Sequence, residues 1–294
     1  MTNKPLMGVS MSIILSEIPK LGVYETVRKC AEIGYPSIEV SRIPMNPENI
    51  AALNRVRDEY GMKIAGCSAN ISTDLGNTAP GEHLNDPDGY KRIVQACKEV
   101  DCNILRVGML PFGCLGSYEK AYAFTLQMND MAKKLKDDGI DLYYQHHAFE
   151  FVRYNGQYFL DIMRDNAPDL GFELDIHWIH VGGENPVKFI ESYKDRIRLL
   201  HLKDYRIGEY VFPKVEKQSD FLKAFGDSMY TIIQSAEIGV GSLPVKECIE
   251  AGLANGAEFF LVEQDLTYGR DPFDCLKNSR DNLIKMGYGE WFKP

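Results

Sequence analysis

Eight short apolar runs, each followed by a longer amphipathic stretch, set the strongest limit on the fold of this chain. They span residues 7–13 (MGVSMSI), 37–41 (SIEVS), 63–69 (KIAGCSA), 104–109 (ILRVGM), 141–147 (DLYYQHH), 171–178 (GFELDIHW), 198–204 (RLLHLKD) and 259–265 (FFLVEQD). Several of the intervening stretches, such as LGVYETVRKCAEIG and LPVKECIEAGLANG, have a helical character and end in a glycine suited to the left-handed residue that closes a helix. Regular alternation of strand and helix predicts parallel βα units, and eight of them predict an α/β fold of the closed (β/α)8 TIM-barrel type. A doubly wound open sheet is the competitor. It would carry G-x-G-x-x-G after the first strand or a Walker A loop, and neither is present. No linker or shift of composition divides residues 1–294, which read as one domain. One segment breaks the rhythm: about 205–235, after the seventh run, is too long for an ordinary βα connection and reads as a lid or substrate wall. Its Phe212, Phe221 and Phe225 would cover a substrate or join a subunit contact, although aromatic residues at helical spacing more often pack.

Composition narrows the partners. A chain of 294 residues at 45% hydrophobic can bury a full core. Its net charge of −9 argues against a nucleic-acid surface, which needs clustered Lys and Arg to displace counterions from phosphates. A small-molecule substrate is the expectation. The cysteines number seven, an odd count without a C-x-x-C pair, and read as reduced core thiols. With no signal-peptide pattern and no apolar stretch near membrane-spanning length, the expected location is the cytoplasm, away from membranes.

The period of two along a barrel strand then sorts the polar residues. In the seventh run Leu200 and Leu202 face the helices while His201 and Lys203 point inward at the C-terminal end. The same rule sends Glu173, Asp175 and His177 inward from the sixth run, Glu263 and Asp265 from the eighth, and Tyr143, Gln145 and His147 from the fifth. Tyr144, Phe172, Leu174, Phe260 and Val262 face outward. His146 is expected outward in a structural role, and His180 on a loop past the sixth strand. Glu39, ending the second run, falls at the same mouth as a substrate contact. Four strands thus deliver carboxylates, imidazoles and an amide to one rim. Two carboxylates such as Asp175 and Glu263 held about 4 Å apart would repel by roughly 4 kcal/mol at an effective dielectric of 20. A cation must lie between them. Lys203 could serve alone, but one divalent ion (Mn, Co, Zn or Mg) on Asp175, His201 and Glu263 suits the mixed oxygen and nitrogen donors better.

Four segments carry a family resemblance: YYQHHAFEF, LGFELDIHWIHVGGENPVKFIESYKDRIRLLHLKDY, AEIGVG and FFLVEQD. Through them nearly the whole chain resembles the xylose isomerase-like TIM-barrel superfamily, in its sugar (phosphate) isomerase/epimerase branch. The resemblance implies one divalent metal held at the C-terminal mouth by Glu, Asp, His and Glu. Asp175, His201 and Glu263 match the last three positions, and Gln145 stands at the first, where many relatives have Glu; Glu150 or His147 are the alternatives for completing the set. Trp178 stands where several branches carry a substrate-side histidine, and Val240 interrupts the usual Gly-Glu-Gly. The implied reaction is isomerisation or epimerisation of a keto-sugar or related polyol through a metal-stabilised enediolate, with Glu263 and His147 sharing acid/base work. Lys203 orients substrate oxygens or neutralises the acidic rim, while Glu39, Glu150, His177 and Trp178 are the expected substrate contacts. A dehydratase or lyase acting on a keto-inositol or 3-keto-glycoside would use the same site. A non-catalytic or nuclease-type barrel is the third reading, and the acidic charge fits a nuclease poorly. The resemblance further implies pairing through the βα loops, hence a homo-oligomer.

Overall fold

A computed structural model describes residues 4–72, 83–210 and 212–293. Among them eight parallel strands close into a barrel: Leu6–Ser10, Ser37–Val40, Lys63–Ser68, Ile104–Val107, Asp141–Gln145, Gly171–Asp175, Ile197–Leu202 and Phe259–Val262. Each pairs with its neighbours in sequence and the last pairs with the first, in a register that sets Asp175 beside His201 and His201 beside Leu261. The outward assignments hold. Leu200 and Phe260 meet the helix Val245–Ala254 so closely that a Cβ on Gly252 would lie 3.0 and 3.1 Å from them, and Tyr144 makes an edge contact with Phe124 of the helix Tyr118–Asp137. Helix starts are fixed by side chains: Asn46, Asp86 and Asn185 each accept a backbone N–H of the first turn. Inside the barrel a side chain at Gly171 is excluded, because its Cβ would lie 2.3 Å from the Tyr143 ring.

Several strands stop sooner than their apolar pattern suggests. The sixth ends at Asp175, whose Oδ1 accepts the N–H of His177 at 2.9 Å and of Trp178 at 3.1 Å and so caps the helix Ile176–Val181. His177 therefore does not point inward from a strand; it lies with Trp178 in the first turn of a helix above the mouth, and His180 belongs to that helix, not to a loop. The fifth strand ends at Gln145, before His147, and the eighth at Val262, before Glu263 and Asp265.

The long segment after the seventh strand has structure of its own. Asp204–Ile207 pairs antiparallel with Ile233–Ala236, and the helix Gln218–Thr231 lies between them. The Asp204 carboxylate gathers the backbone N–H groups of Tyr205, Gly239, Gly241 and Leu243 at 2.9–3.2 Å, tying both feet of the ribbon to the barrel. Phe212, Phe221 and Phe225 stack in a row on this arm and stay 40–50% exposed; Val211 lies outside the described residues. At the other end of the chain Trp291 packs on Phe260 and Phe292 on Tyr35, so the tail covers its own barrel, with Pro294 outside the described residues. None of the seven cysteines forms a disulfide among the described residues, and all but Cys114 are buried. No described helix is long and apolar enough to cross a membrane.

Candidate metal centre

The C-terminal half of the barrel interior holds charge in two layers joined by one histidine. In the lower layer Glu39, Arg106 and Glu173, from the second, fourth and sixth strands, are buried together. Arg106 Nε contacts Glu39 Oε1 and lies 3.3 Å from Glu173 Oε2, and its NH1 donates to Gln145 Oε1. His201 Nε2 faces Glu39 at 3.1 Å and Glu173 at 3.0 Å. Burial, then repulsion from Glu39, pushes the Glu173 carboxyl up to about 7.

The other ring nitrogen of His201 opens onto the upper layer. His201 Nδ1 lies 2.8 Å from Glu263 Oε2 and 3.8 Å from Asp175 Oδ2. Lys203 Nζ stands 3.3 Å from Asp175, 2.9 Å from Glu263 and 3.2 Å from Asp265. Glu263 Oε1 accepts from Ser12 at 2.8 Å and Ser10 at 3.3 Å, which aims Oε2 at His201 and Lys203. Burial alone would raise the Asp175 carboxyl; Lys203 and His201 together outweigh it and hold that group at about 2. His201 is held protonated well above the usual imidazole range, because Glu173, Glu263 and Glu39 together overcome its burial.

Above this layer the rim is aromatic. The rings of His147 and His177 lie 5.6 and 4.8 Å from Trp178, Tyr205 of the ribbon lies 5.4 Å from His177, and Lys203 Nζ sits 5.0 Å from the Trp178 ring centre. His147 Nδ1, His177 Nδ1 and Trp178 Nε1 are buried without a hydrogen-bond partner. Burial, then the nearby Lys203, depresses His147 to about 4, and burial likewise depresses His177 to about 4, so both are neutral near pH 7.

Residues 27–233, more than two thirds of the chain, match the family model described as the xylose isomerase-like TIM barrel. The chain belongs to that family. No curated protein matches it. Among solved structures, a sugar phosphate isomerase/epimerase from Parabacteroides distasonis aligns over 96% of this chain and 98% of its own at TM-score 0.74 and 19% identity. The probable 3-DHS dehydratase AsbF from Bacillus anthracis aligns over 95% and 98% at 0.65 and 14%. The IOLI protein with a binding zinc atom aligns over 97% and 98% at 0.65 and 12%. At these identities the likeness is one of fold.

Within this xylose isomerase-like barrel, Asp175, His201 and Glu263 come together as the strand pattern predicts. Their donor atoms lie within 4.8 Å of one another. Asp175 Oδ2 and Glu263 Oε2 are buried and accept no hydrogen bond, their contacts to Lys203 being ion pairs only, so the donor set fits a divalent ion. An ion on Nδ1 takes the place of a proton there, and uptake should release protons. Gln145 does not join these donors: Arg106 occupies its carbonyl oxygen, and its amide nitrogen faces His201 Nδ1 at 3.3 Å. Glu39 is not at the rim, since it lies fully buried beneath His201. Glu150 is fully buried, and its two oxygens accept the Tyr144 hydroxyl and the His147 N–H, the latter at 2.8 Å, which fixes the turn that carries His147. Arg106 is the residue that the strand pattern left unread, although a charged residue between Leu105 and Val107 in an apolar run is itself a signal.

His146 is structural, as expected. Its Nε2 accepts the Asp175 N–H at 3.1 Å and its Nδ1 donates to the His147 carbonyl at 3.1 Å, an arrangement that requires a neutral ring. Burial depresses it to about 4. Between pH 6.5 and 4 the unfolded chain then binds the proton that the folded one refuses, so stability falls as pH drops through that window, by on the order of 3 kcal/mol for this group. Urea unfolding across pH 4–7 should show the slope in the wild type and a shallower one in His146→Gln; equal slopes would remove His146 as the cause.

Proposed function

We propose that this chain is a metal-dependent sugar isomerase or epimerase acting on a keto-sugar or related polyol. The observation that carries the reading is the convergence of Asp175 Oδ2, His201 Nδ1 and Glu263 Oε2, with the two carboxylate oxygens lacking hydrogen bonds, under an aromatic rim. A divalent ion bound there supplies Lewis acidity to a carbonyl and acidifies the neighbouring C–H. The remaining work belongs to the chain. Glu263, held ionised well below the usual carboxylate range because His201 and Lys203 overcome its burial, gives Oε2 to the ion and takes the proton from carbon with Oε1, the oxygen that Ser12 and Ser10 position. His147, neutral and with Nδ1 free, is its partner: Nδ1 takes the proton of the substrate hydroxyl beside the carbonyl and passes it to the former carbonyl oxygen, while Glu263 gives its proton back to carbon. Lys203 keeps its charge at any working pH and orients substrate oxygens. The Trp178 face, flanked by His147 and His177, supplies an apolar wall for the C–H side of a sugar ring.

The test is proton exchange. Incubated with Mn²⁺ and a panel of keto-hexoses and keto-polyols in D₂O, the protein should place deuterium on the carbon beside the carbonyl of at least one substrate. Glu263→Gln should slow this by about 10² to 10⁴. A new ultraviolet absorbance without epimer would move the assignment to the dehydratase or lyase that shares this site. Absence of both exchange and elimination in the metal-loaded protein would end the reading.

A further inference from the structure

The lower charge layer has a composition that the reaction just described does not use. Three oxygen-bearing side chains, Glu39, Glu173 and Gln145, come from three strands and converge on a single cationic group, the Arg106 guanidinium. Glu39 and Glu173 are fully buried, Arg106 is 7% exposed, and neither oxygen of Glu173 accepts a hydrogen bond. Two carboxylates and an amide oxygen around a central positive charge are the donor set of a hard divalent ion. The group at its centre is instead a side chain that stays charged throughout the working pH range and leaves only if the strand unfolds. The layer directly above has the same plan, carboxylates around one charge, and the two share His201, with Nε2 facing down and Nδ1 facing up.

We propose that Arg106 stands in for a second divalent cation and thereby holds this barrel to one metal. The inference rests on the reading that the upper layer takes a divalent ion. Arg106 supplies the charge that keeps Glu39 and Glu173 together, and those carboxylates in turn hold the Nε2 proton of His201, leaving Nδ1 as the nitrogen that binds metal. Truncating the arginine leaves a space lined by Glu39, Glu173 and the freed Gln145 oxygen, open to a hydrated ion.

The experiment loads three proteins with Mn²⁺, removes excess by dialysis, and counts metal by elemental mass spectrometry with electron paramagnetic resonance on the same samples. The wild type should carry one equivalent and Arg106→Ala two, with the spectrum of a coupled pair. The triple variant E39Q/R106A/E173Q, which removes the lower charges together, should return to one. If Arg106→Ala holds one equivalent at saturating Mn²⁺, or the wild type holds two, the proposal fails while the upper site stands. If the wild type holds none and Arg106→Ala gains one that the triple variant loses, the lower layer is a cation site and the upper reading fails. If Arg106→Ala folds neither with nor without Mn²⁺ while the triple variant folds, an ion cannot replace the guanidinium and the proposal is overturned.

Discussion

Replacing His201 with alanine should lower the affinity for the divalent ion by more than about 100-fold and, in chelator, cost about 3–5 kcal/mol of stability. The two effects have one source. His201 is fully buried with a carboxylate 3.0 Å from one ring nitrogen and another 2.8 Å from the other. Removing the ring takes away the nitrogen donor and leaves Glu39 and Glu173 with Arg106 as their sole counter-charge among the described contacts, in a medium that screens repulsion poorly. Metal counts by elemental mass spectrometry and urea unfolding in EDTA read the two effects separately. Full metal retention in a folded His201→Ala protein would mean that the ion sits elsewhere.

Lys203→Met makes the opposite demand on the site. Lys203 is 2% exposed and is the cation shared by Asp175, Glu263 and Asp265. In EDTA its loss should also cost about 3–5 kcal/mol, because three carboxylates lose their buried partner. In saturating Mn²⁺ most of that loss should disappear, since the ion binds only the folded state and brings the missing charge. Metal affinity should rise by at least about 10-fold, a like charge having been removed from beside the ion. Melting curves with and without Mn²⁺, together with calorimetric titration, decide it. An equal loss in both conditions would show that the lysine acts through packing alone and that no ion shares its carboxylates.

Much of this arrangement was legible because barrel strands enforce a period of two. That rule alone, with nothing known of register, places Asp175, His201, Lys203 and Glu263 at one end of the interior. It misses where a strand stops. Asp175 serves twice, as an inward carboxylate and as the cap of the next helix, and the capping moves His177 and Trp178 out of the strand pattern and onto the rim. An Asp directly before a helix is a readable start signal, but here it was masked by the apolar Ile176 that follows it. Depth is the other loss. Whether Glu39 lies at the mouth or a layer below depends on the stagger between the second and seventh strands, which pair with other neighbours, and no local pattern carries that distance. Gln145 is a different loss: its partner Arg106 comes from the adjacent fourth strand, opposite Tyr143, and the period of two does not show that the amide oxygen is already taken.

The ribbon that leaves the seventh strand has a different kind of consequence. Ile207 and Ile233 are paired across it, and Asp204 clamps its base. For the chain between them, the ends are joined before the loop begins, so its length enters stability only through the slow logarithm of loop closure, about 0.6 kcal/mol per doubling. Insertions, deletions or whole exchanges in that interval should leave Asp175, His201 and Glu263 unmoved. The arm beside the mouth can therefore diverge freely between related barrels while the residues beneath it stay in place, which makes this interval one where the lining of the mouth is able to change without refolding the barrel.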